Sequence, residues 1–177
     1  MNIFGSIGEK FRISDYARFY GAENIFIGNN VRIDDFVIIT AKEPVYIGDY
    51  VHIAAYSAIH GTFGVTIKDF VNISSNISIY SASDDYSGRS LTSPVIPDKY
   101  KSVVTGRVIL ERHVIVGANS VILPSVTIGE GTAVGAMSFV KKDLPPFKIC
   151  YGIPCKVMKD RCKDFLQLEK DFLNELW

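Results

Sequence analysis

An apolar residue recurs at every sixth position along most of this 177-residue chain, a smaller residue follows four places later, and steps of eight interrupt the series at intervals. Together these three regularities predict an all-β fold, a parallel β-helix with one long projecting loop and a C-terminal α-helix. The sixth-position series runs Ile7, Ile13, Phe19; Ile27, Ile33, Ile39; Ile47, Ile53, Ile59; and Ile67, Ile73, Ile79. Each triplet is separated from the next by a step of eight. After a gap of 25 residues the series resumes at Val104 and passes through Leu110, Val116, Ile122, Ile128 and Val134 to Val140, so that all 19 positions are apolar.

A period of six fits neither a helix nor a long alternating strand; it fits short strands joined by bends, each sending one large side chain inward. Three strands close a coil of roughly 18 residues, and the steps of eight add two residues at one corner. Six coils at the ~4.8 Å strand spacing make a prism on the order of 29 Å long. The smaller inward position is filled by Ala17, Val31, Val37, Val51, Ser57, Val71, Val114, Ser120, Val126, Thr132 and Ser138. Residues just after the large position, such as Gly28, Asp34, Gly48, Gly117, Gly129 and Gly135, read as turn formers.

The first four coils end at Ile79, and residues 80–103 break the period with a stretch rich in Ser, Asp, Tyr and Pro. A loop of this length in a compact domain is usually functional or disordered, and its tyrosines and prolines favour an ordered one. In it, "IYSASDDYSG" places Ser83 at the small inward position and Asp84 where the chain leaves the prism, with Asp85, Tyr86 and Arg89 beyond. The later coils run from 104 to 140. Pro145, Pro146 and the Gly152-Ile153-Pro154 turn then end the ladder, amid Lys141, Lys142, Lys148, Lys156, Lys159 and Arg161. The last stretch, "DRCKDFLQLEKDFLNELW", reads as an amphipathic helix capped by Asp160 or Asp164, with Phe165, Leu168, Phe172 and Leu176 on one face, covering exposed strand edges. The organisation is therefore a β-helix domain over 1–158 and a helix over 159–177 packed on it.

Lys plus Arg and Asp plus Glu both number 19, which gives no global pull toward nucleic acid or membrane surfaces. The start lacks a secretory pattern and no apolar run reaches the ~18 residues of a membrane span, so a cytoplasmic protein is expected. Cys150, Cys155 and Cys162 match no zinc spacing and are expected to be reduced thiols.

The ladder, its single interruption and the ending "VGANSVILPSVTIGEGTAVGAMSFVKKDLPPFKICYGIPCKV" resemble the left-handed β-helix, hexapeptide-repeat acyltransferases. The nearest likeness is to sugar O- and N-acetyltransferases of bacterial O-antigen and surface-polysaccharide pathways. The resemblance implies left-handed coils, acetyl-coenzyme A as co-substrate, and a homotrimer with active sites at subunit interfaces. Pantetheine contacts are implied at Gly117, Ala118, Gly135 and Ala136, and phosphate or adenine contacts at Lys141, Lys142, Pro154, Lys156 and Arg161. Maltose-type and antibiotic acetyltransferases carry a catalytic histidine at the position that is Asp84 here. The aspartate favours an amino acceptor, which needs less base catalysis than a hydroxyl.

His60 follows a ladder residue one coil before Tyr80 and is a second candidate base. His52 and His113 fall at other positions of their repeats and should not converge with it, which argues against the three-histidine zinc site of γ-class carbonic anhydrases. The reading is an acetyl-coenzyme A-dependent N-acetyltransferase of an amino sugar, expected to be nucleotide-linked, with no metal. Asp84 and His60 are its catalytic candidates, and Asp85, Tyr86 and Arg89 its substrate contacts. Its rivals are an O-acetyltransferase of a polysaccharide or galactoside hydroxyl, and a non-catalytic β-helix scaffold.

Overall fold

The computed structural model describes residues 3–175, folded as a three-faced parallel β-helix. Face one stacks Ser6–Ile7, Ile25–Ile27, Val45–Ile47, Val65–Ile67, Val108–Leu110 and Thr127–Ile128. Face two begins with Arg12–Ile13, Arg32–Ile33, His52–Ile53 and Asn72–Ile73 and continues with Ile115–Val116, Ala133–Val134 and Lys148–Tyr151; Lys156–Asp160 is added antiparallel. Face three carries Arg18–Tyr20, Ile38–Ala41, Ala58–Gly61, Ser78–Tyr80, Val121–Ile122 and Phe139–Val140. Ladder residues pair with ladder residues in successive coils, as in Ile27 with Ile47 and Ile122 with Val140.

This register turns the ladder residues toward the prism axis, and on face one a second apolar residue of the strand joins them, as in Ile25, Val45, Val65 and Val108. Ile25, Ile33, Ile39, Ile53, Ile59 and Ile79 are among those wholly removed from water, each such burial stabilising by about 1.5–3 kcal/mol. The smaller positions are buried too, from Ala17 to Ser138. Where they are polar, the hydroxyl serves the corner backbone: Ser120 Oγ donates to Gly117 O at 2.7 Å and Ser138 Oγ to Gly135 O at 2.6 Å. Such pairing removes the cost of a buried hydroxyl.

Several expectations are corrected. Val104 is 58% exposed and is not a core position; it lies in Val103–Thr105, which pairs antiparallel with Ala82–Asp84 to form a two-stranded arm. Its six-residue distance from Leu110 is a coincidence of phase. The inward small residue before the arm is Ser81, not Ser83, because this corner carries the two extra residues and Ser81 repeats Ala41 and Gly61 at 20-residue intervals. Ser81 Oγ donates to His60 O at 2.8 Å and accepts Phe63 N at 2.9 Å.

The ladder also runs further than the prolines suggest. Leu144 bridges to Ile128, and Cys150 pairs with Val134 in the core, opening a seventh coil. Burial pushes the Cys150 thiol up to about 11, which suits packing and not reactivity.

Glycines after the ladder residue are required by close approach, not by turn angle. A Cβ on Gly28 would come within 2.8 Å of the Gly48 carbonyl carbon, and one on Gly117 equally close to that of Gly135. The left-handed backbone angle falls two residues later, at Asn30, Tyr50, Phe70, His113, Asn119 and Met137 among others. Side chains at these positions stack along the corners, offsetting backbone strain with ring contact. At the corner between faces one and two, Tyr50 stacks on Phe70 at 4.8 Å and Phe70 on His113 at 5.0 Å.

The helix, α1 (Phe165–Asn174), lies along that ring stack. Phe172 meets Tyr50 edge-on at 5.3 Å, Phe165 meets His113 at 5.0 Å, and Glu169 binds both Arg112 and His113. It covers the side of the prism. It starts later than 159, because Lys156–Asp160 is a strand, where Asp160 pairs with Lys148. Asp164 holds the cap position without a side-chain hydrogen bond, and Leu168, 65% exposed, points away from the packed face. Leu176 lies outside the described residues.

The contrast between core and arm is measurable by chemical denaturation. Ile122→Ala should cost about 2–5 kcal/mol of unfolding free energy, and Val104→Ala less than about 0.5.

Candidate active site

The arm leaves the prism at the corner between faces three and one and overhangs the outer surface of face three. Residues on either side of an inward ladder position point outward. Val121 and Leu123 flank Ile122, Phe139 and Lys141 flank Val140, and Tyr80 follows Ile79. With Pro124 these form the floor and rim of a cleft of about 790 Å³, whose other wall is Ser83, Asp84, Asp85 and Tyr86 on the arm. The inward ladder says nothing of this apolar floor, and sequence reasoning missed it. Its signal is there, as large apolar residues at three successive outward positions of one face.

Asp84 ends the strand Ala82–Asp84, is solvent-exposed, and faces the cleft. Lys141 stands on the same cleft. Asp85 also lines it, but its carboxylate folds the arm: Oδ1 accepts Ser87 N at 2.8 Å and Oδ2 accepts Ser90 Oγ at 3.0 Å. Those bonds hold its carboxyl below the usual range. Tyr86 is 91% exposed at the rim. Arg89 is not brought to the cleft; it lines a separate basin on the arm.

His60 lies one coil away. Its ring stacks on Tyr80 at 4.8 Å and 10°, half-buried, and Tyr80 rather than His60 lines the cleft. Burial disfavours the imidazolium and holds its pKa below the ordinary 6.5. The other histidines are elsewhere: His52 sits on face two between Asp34 Oδ2 (2.9 Å) and Asn72 Oδ1 (3.1 Å), and His113 packs beneath α1. The three rings do not converge.

Gly117, Ala118, Gly135 and Ala136 stack at the corner between faces two and three, one coil apart. Gly117 N and Gly135 N are spent on the next coil, to Val134 O and Cys150 O. The N–H groups of Ala118 and Ala136 have no hydrogen-bond partner among the described residues and lie beside small side chains. Lys142 is exposed after the last strand of face three, Lys156 is exposed on the antiparallel strand of face two, and Pro154 lies in the turn before it. Arg161 is committed elsewhere. Its Nη1 donates to Gly131 O (3.0 Å) and His113 O (3.1 Å), and its guanidinium lies 4.7 Å from the Phe165 ring centre, so it anchors α1 at a different corner.

Residues 102–142 match the family model described as bacterial transferase hexapeptide (six repeats). Over 170 residues the chain is 49% identical to the dTDP-4-amino-4,6-dideoxy-D-glucose acyltransferase of Escherichia coli, covering 96% of this chain and 88% of that protein. The chain belongs to the hexapeptide-repeat acyltransferases. Among solved structures, AntD, an N-acyltransferase from Bacillus cereus, superposes with a TM-score of 0.95 at 49% identity over 98% of this chain and 92% of that one, in a variant bound to dTDP-4-amino-4,6-dideoxyglucose and coenzyme A. Its complex with dTDP and 3-hydroxybutyryl-CoA gives 0.94 at 48% identity, with the same coverage. The galactoside O-acetyltransferase of Lactococcus lactis is 39% identical over only 70 residues, 38% of this chain and 34% of its own. This hexapeptide-repeat enzyme is thus an acyltransferase with a coenzyme A thioester as donor, and no helix among its described residues is long and apolar enough to cross a membrane.

The stacking of His60 on Tyr80 carries its own test. In an NMR titration the His60 ring should stay neutral at pH 7 and protonate with a midpoint below 6.5. Because the unfolded chain takes up that proton near 6.5 and the folded chain does not, this group lowers stability as pH falls from about 6.5 to its folded pKa. A midpoint at or above 6.5 would show the stack to be open to water.

Proposed function

We propose that this enzyme transfers an acetyl group from acetyl-coenzyme A to the amine of a nucleotide-linked amino sugar, with dTDP-4-amino-4,6-dideoxyglucose as the leading acceptor. The observation that carries the reading is likeness along nearly the whole chain to one protein named for acylating that compound and another solved with it bound. The cleft supplies the chemistry. A neutral sugar amine attacks the thioester carbonyl, the C–N bond forms as the C–S bond breaks, and the amine proton leaves as the coenzyme departs as thiol.

Asp84 is the group proposed to orient the amine and take its proton. His60 is proposed to act through Tyr80, as a neutral ring that fixes the wall of the cleft. The free N–H groups of Ala118 and Ala136, with Gly117 and Gly135 beside them, suit the amides of pantetheine, and Lys141, Lys142, Pro154 and Lys156 suit its phosphate and adenine end. Asp85 shapes the arm, and Tyr86 and Arg89 are left to meet the acceptor. O-acetylation is the weaker reading: a hydroxyl requires a base of near-neutral pKa, which a carboxylate is not ordinarily, and His60 does not reach the cleft. The enzyme is proposed to work in the cytoplasm.

Assembly as a trimer is proposed from the resemblance and from an exposed apolar ladder at the corner between faces two and three. Tyr16 and Tyr56, each 60% exposed, sandwich Phe36, and Ile38, two residues on, is exposed as well. Monomeric proteins rarely leave so continuous a patch in water. Phe36→Asp should shift the mass measured by light scattering from three chains to one, and an unchanged mass would place the interface elsewhere.

Coenzyme release measures the reaction itself. The 4-amino sugar nucleotide should be turned over at least about 10²-fold faster than its 4-hydroxyl counterpart, with Asp84→Asn slowing it by about 10²-fold. Equal rates on the two acceptors would remove the preference for nitrogen, and near wild-type turnover by the variant would remove Asp84 from the mechanism. Running 3-hydroxybutyryl-CoA beside acetyl-CoA would fix the acyl group.

A further inference from the structure

The cleft accounts for a reactive amine and a thioester but offers one cation, Lys141, to an acceptor that also carries a diphosphate. A second depression, on the arm, has the complementary charge. It measures about 540 Å³ and is bounded by Gly88, Arg89, Ser90, Lys99, Tyr100 and Lys101. Its walls are tied together: Leu91 N donates to Tyr100 O and Lys101 N to Asp98 O, both at 2.9 Å.

The charges around it are unequally used. Lys101 Nζ lies 2.9 Å from Asp98 Oδ1, and its side chain is only 13% exposed, so that cation is largely neutralised and structural. Arg89 and Lys99 have no carboxylate partner among the described residues; Lys99 Nζ rests 4.8 Å from the centre of the Tyr100 ring. A Cβ on Gly88 would meet nothing within 4 Å, so the space at this edge is open. Two unpaired cations held around one basin attract a divalent anion.

Basin and cleft are joined by one hydrogen bond. Asp85 lines the cleft, Ser90 lines the basin, and the Asp85 carboxylate accepts a hydrogen bond from Ser90 Oγ across the turn between them. We propose that the basin is the diphosphate subsite for the acceptor, in which Arg89 and Lys99 hold the diphosphate of a nucleoside diphosphate sugar while its sugar end reaches the cleft. This rests on the acceptor reading above. The arm then recognises both ends of one molecule, and Asp85 sets the distance between them by fixing the turn.

Binding of dTDP and of thymidine to the full-length enzyme, by calorimetry, separates the phosphate contribution from that of the base. The Arg89→Gln, Lys99→Gln double variant should bind dTDP about 30-fold more weakly, with thymidine affinity unchanged. Its KM for the amino sugar nucleotide should rise similarly, while kcat and the KM for acetyl-CoA stay within about twofold. Added salt should weaken dTDP binding to the wild type more than to the variant. Wild-type dTDP affinity in the double variant would overturn the subsite, as would an equal loss of thymidine. If the wild type neither binds dTDP nor acylates a nucleotide sugar, the acceptor reading fails and takes the subsite with it. Acylation by the wild type with an unaffected double variant removes the subsite alone.

Discussion

The parallel strands of this prism find their backbone partners in neighbouring coils, and that requirement governs the rest of the molecule. Adjacent coils must sit one strand spacing apart at all three faces at once, so a side chain too large at a crowded corner disturbs two coils rather than one. Gly28, Gly117 and Gly135 occur where a neighbouring carbonyl or side chain leaves no room for a Cβ. Ser57, Ser120 and Ser138 pair buried hydroxyls with corner backbone. The same register brings outward residues from successive coils into straight columns, which makes a flat apolar floor from Val121, Leu123 and Phe139, and stacked rings from Tyr16, Phe36 and Tyr56.

The cleft uses both parts of this arrangement. The prism supplies fixed columns, and the arm supplies the polar groups that the columns lack. Asp84, Asp85 and Tyr86 come from an arm whose two strands pair, among the described residues, with each other alone, so their placement depends on the Ala82–Asp84 pairing with Val103–Thr105 and on the Asp85 turn. The α1 helix serves a different end. It covers the ring stack at the corner between faces one and two, and Arg161 and Glu169 fasten it there, away from the cleft.

The fold was legible in the sequence because the inward ladder is nearly unbroken and a period of six has few structural solutions. Phase without context misleads. Val104 stands six residues before Leu110 and is apolar, yet backbone pairing with Ser83 places it in the arm. Ser81 was legible in principle, from its 20-residue relation to Ala41 and Gly61, but a rule of four places after the ladder points to Ser83. The glycines invite the expectation of turn angles, whereas the positive angles lie two residues later, many under aromatic side chains whose stacking is a contact between coils and so is invisible along the chain. That Asp84 lines the cleft could be anticipated because it stands where the ladder stops. The separation of Arg89 from the cleft, and of Arg161 from the remaining cations, depends on how the arm and α1 fold back, which no local pattern states.

The steps of eight place two surplus residues at the corner between faces three and one in coil after coil, and the arm leaves the prism at that same corner. An insertion there interrupts no inward position, since Ile79 before it and Val108 after it remain wholly buried. The corner therefore behaves as a natural splice point: an arm of different length or composition can be exchanged in a single segment, changing one wall of the cleft while the columns of the later coils are left as they were.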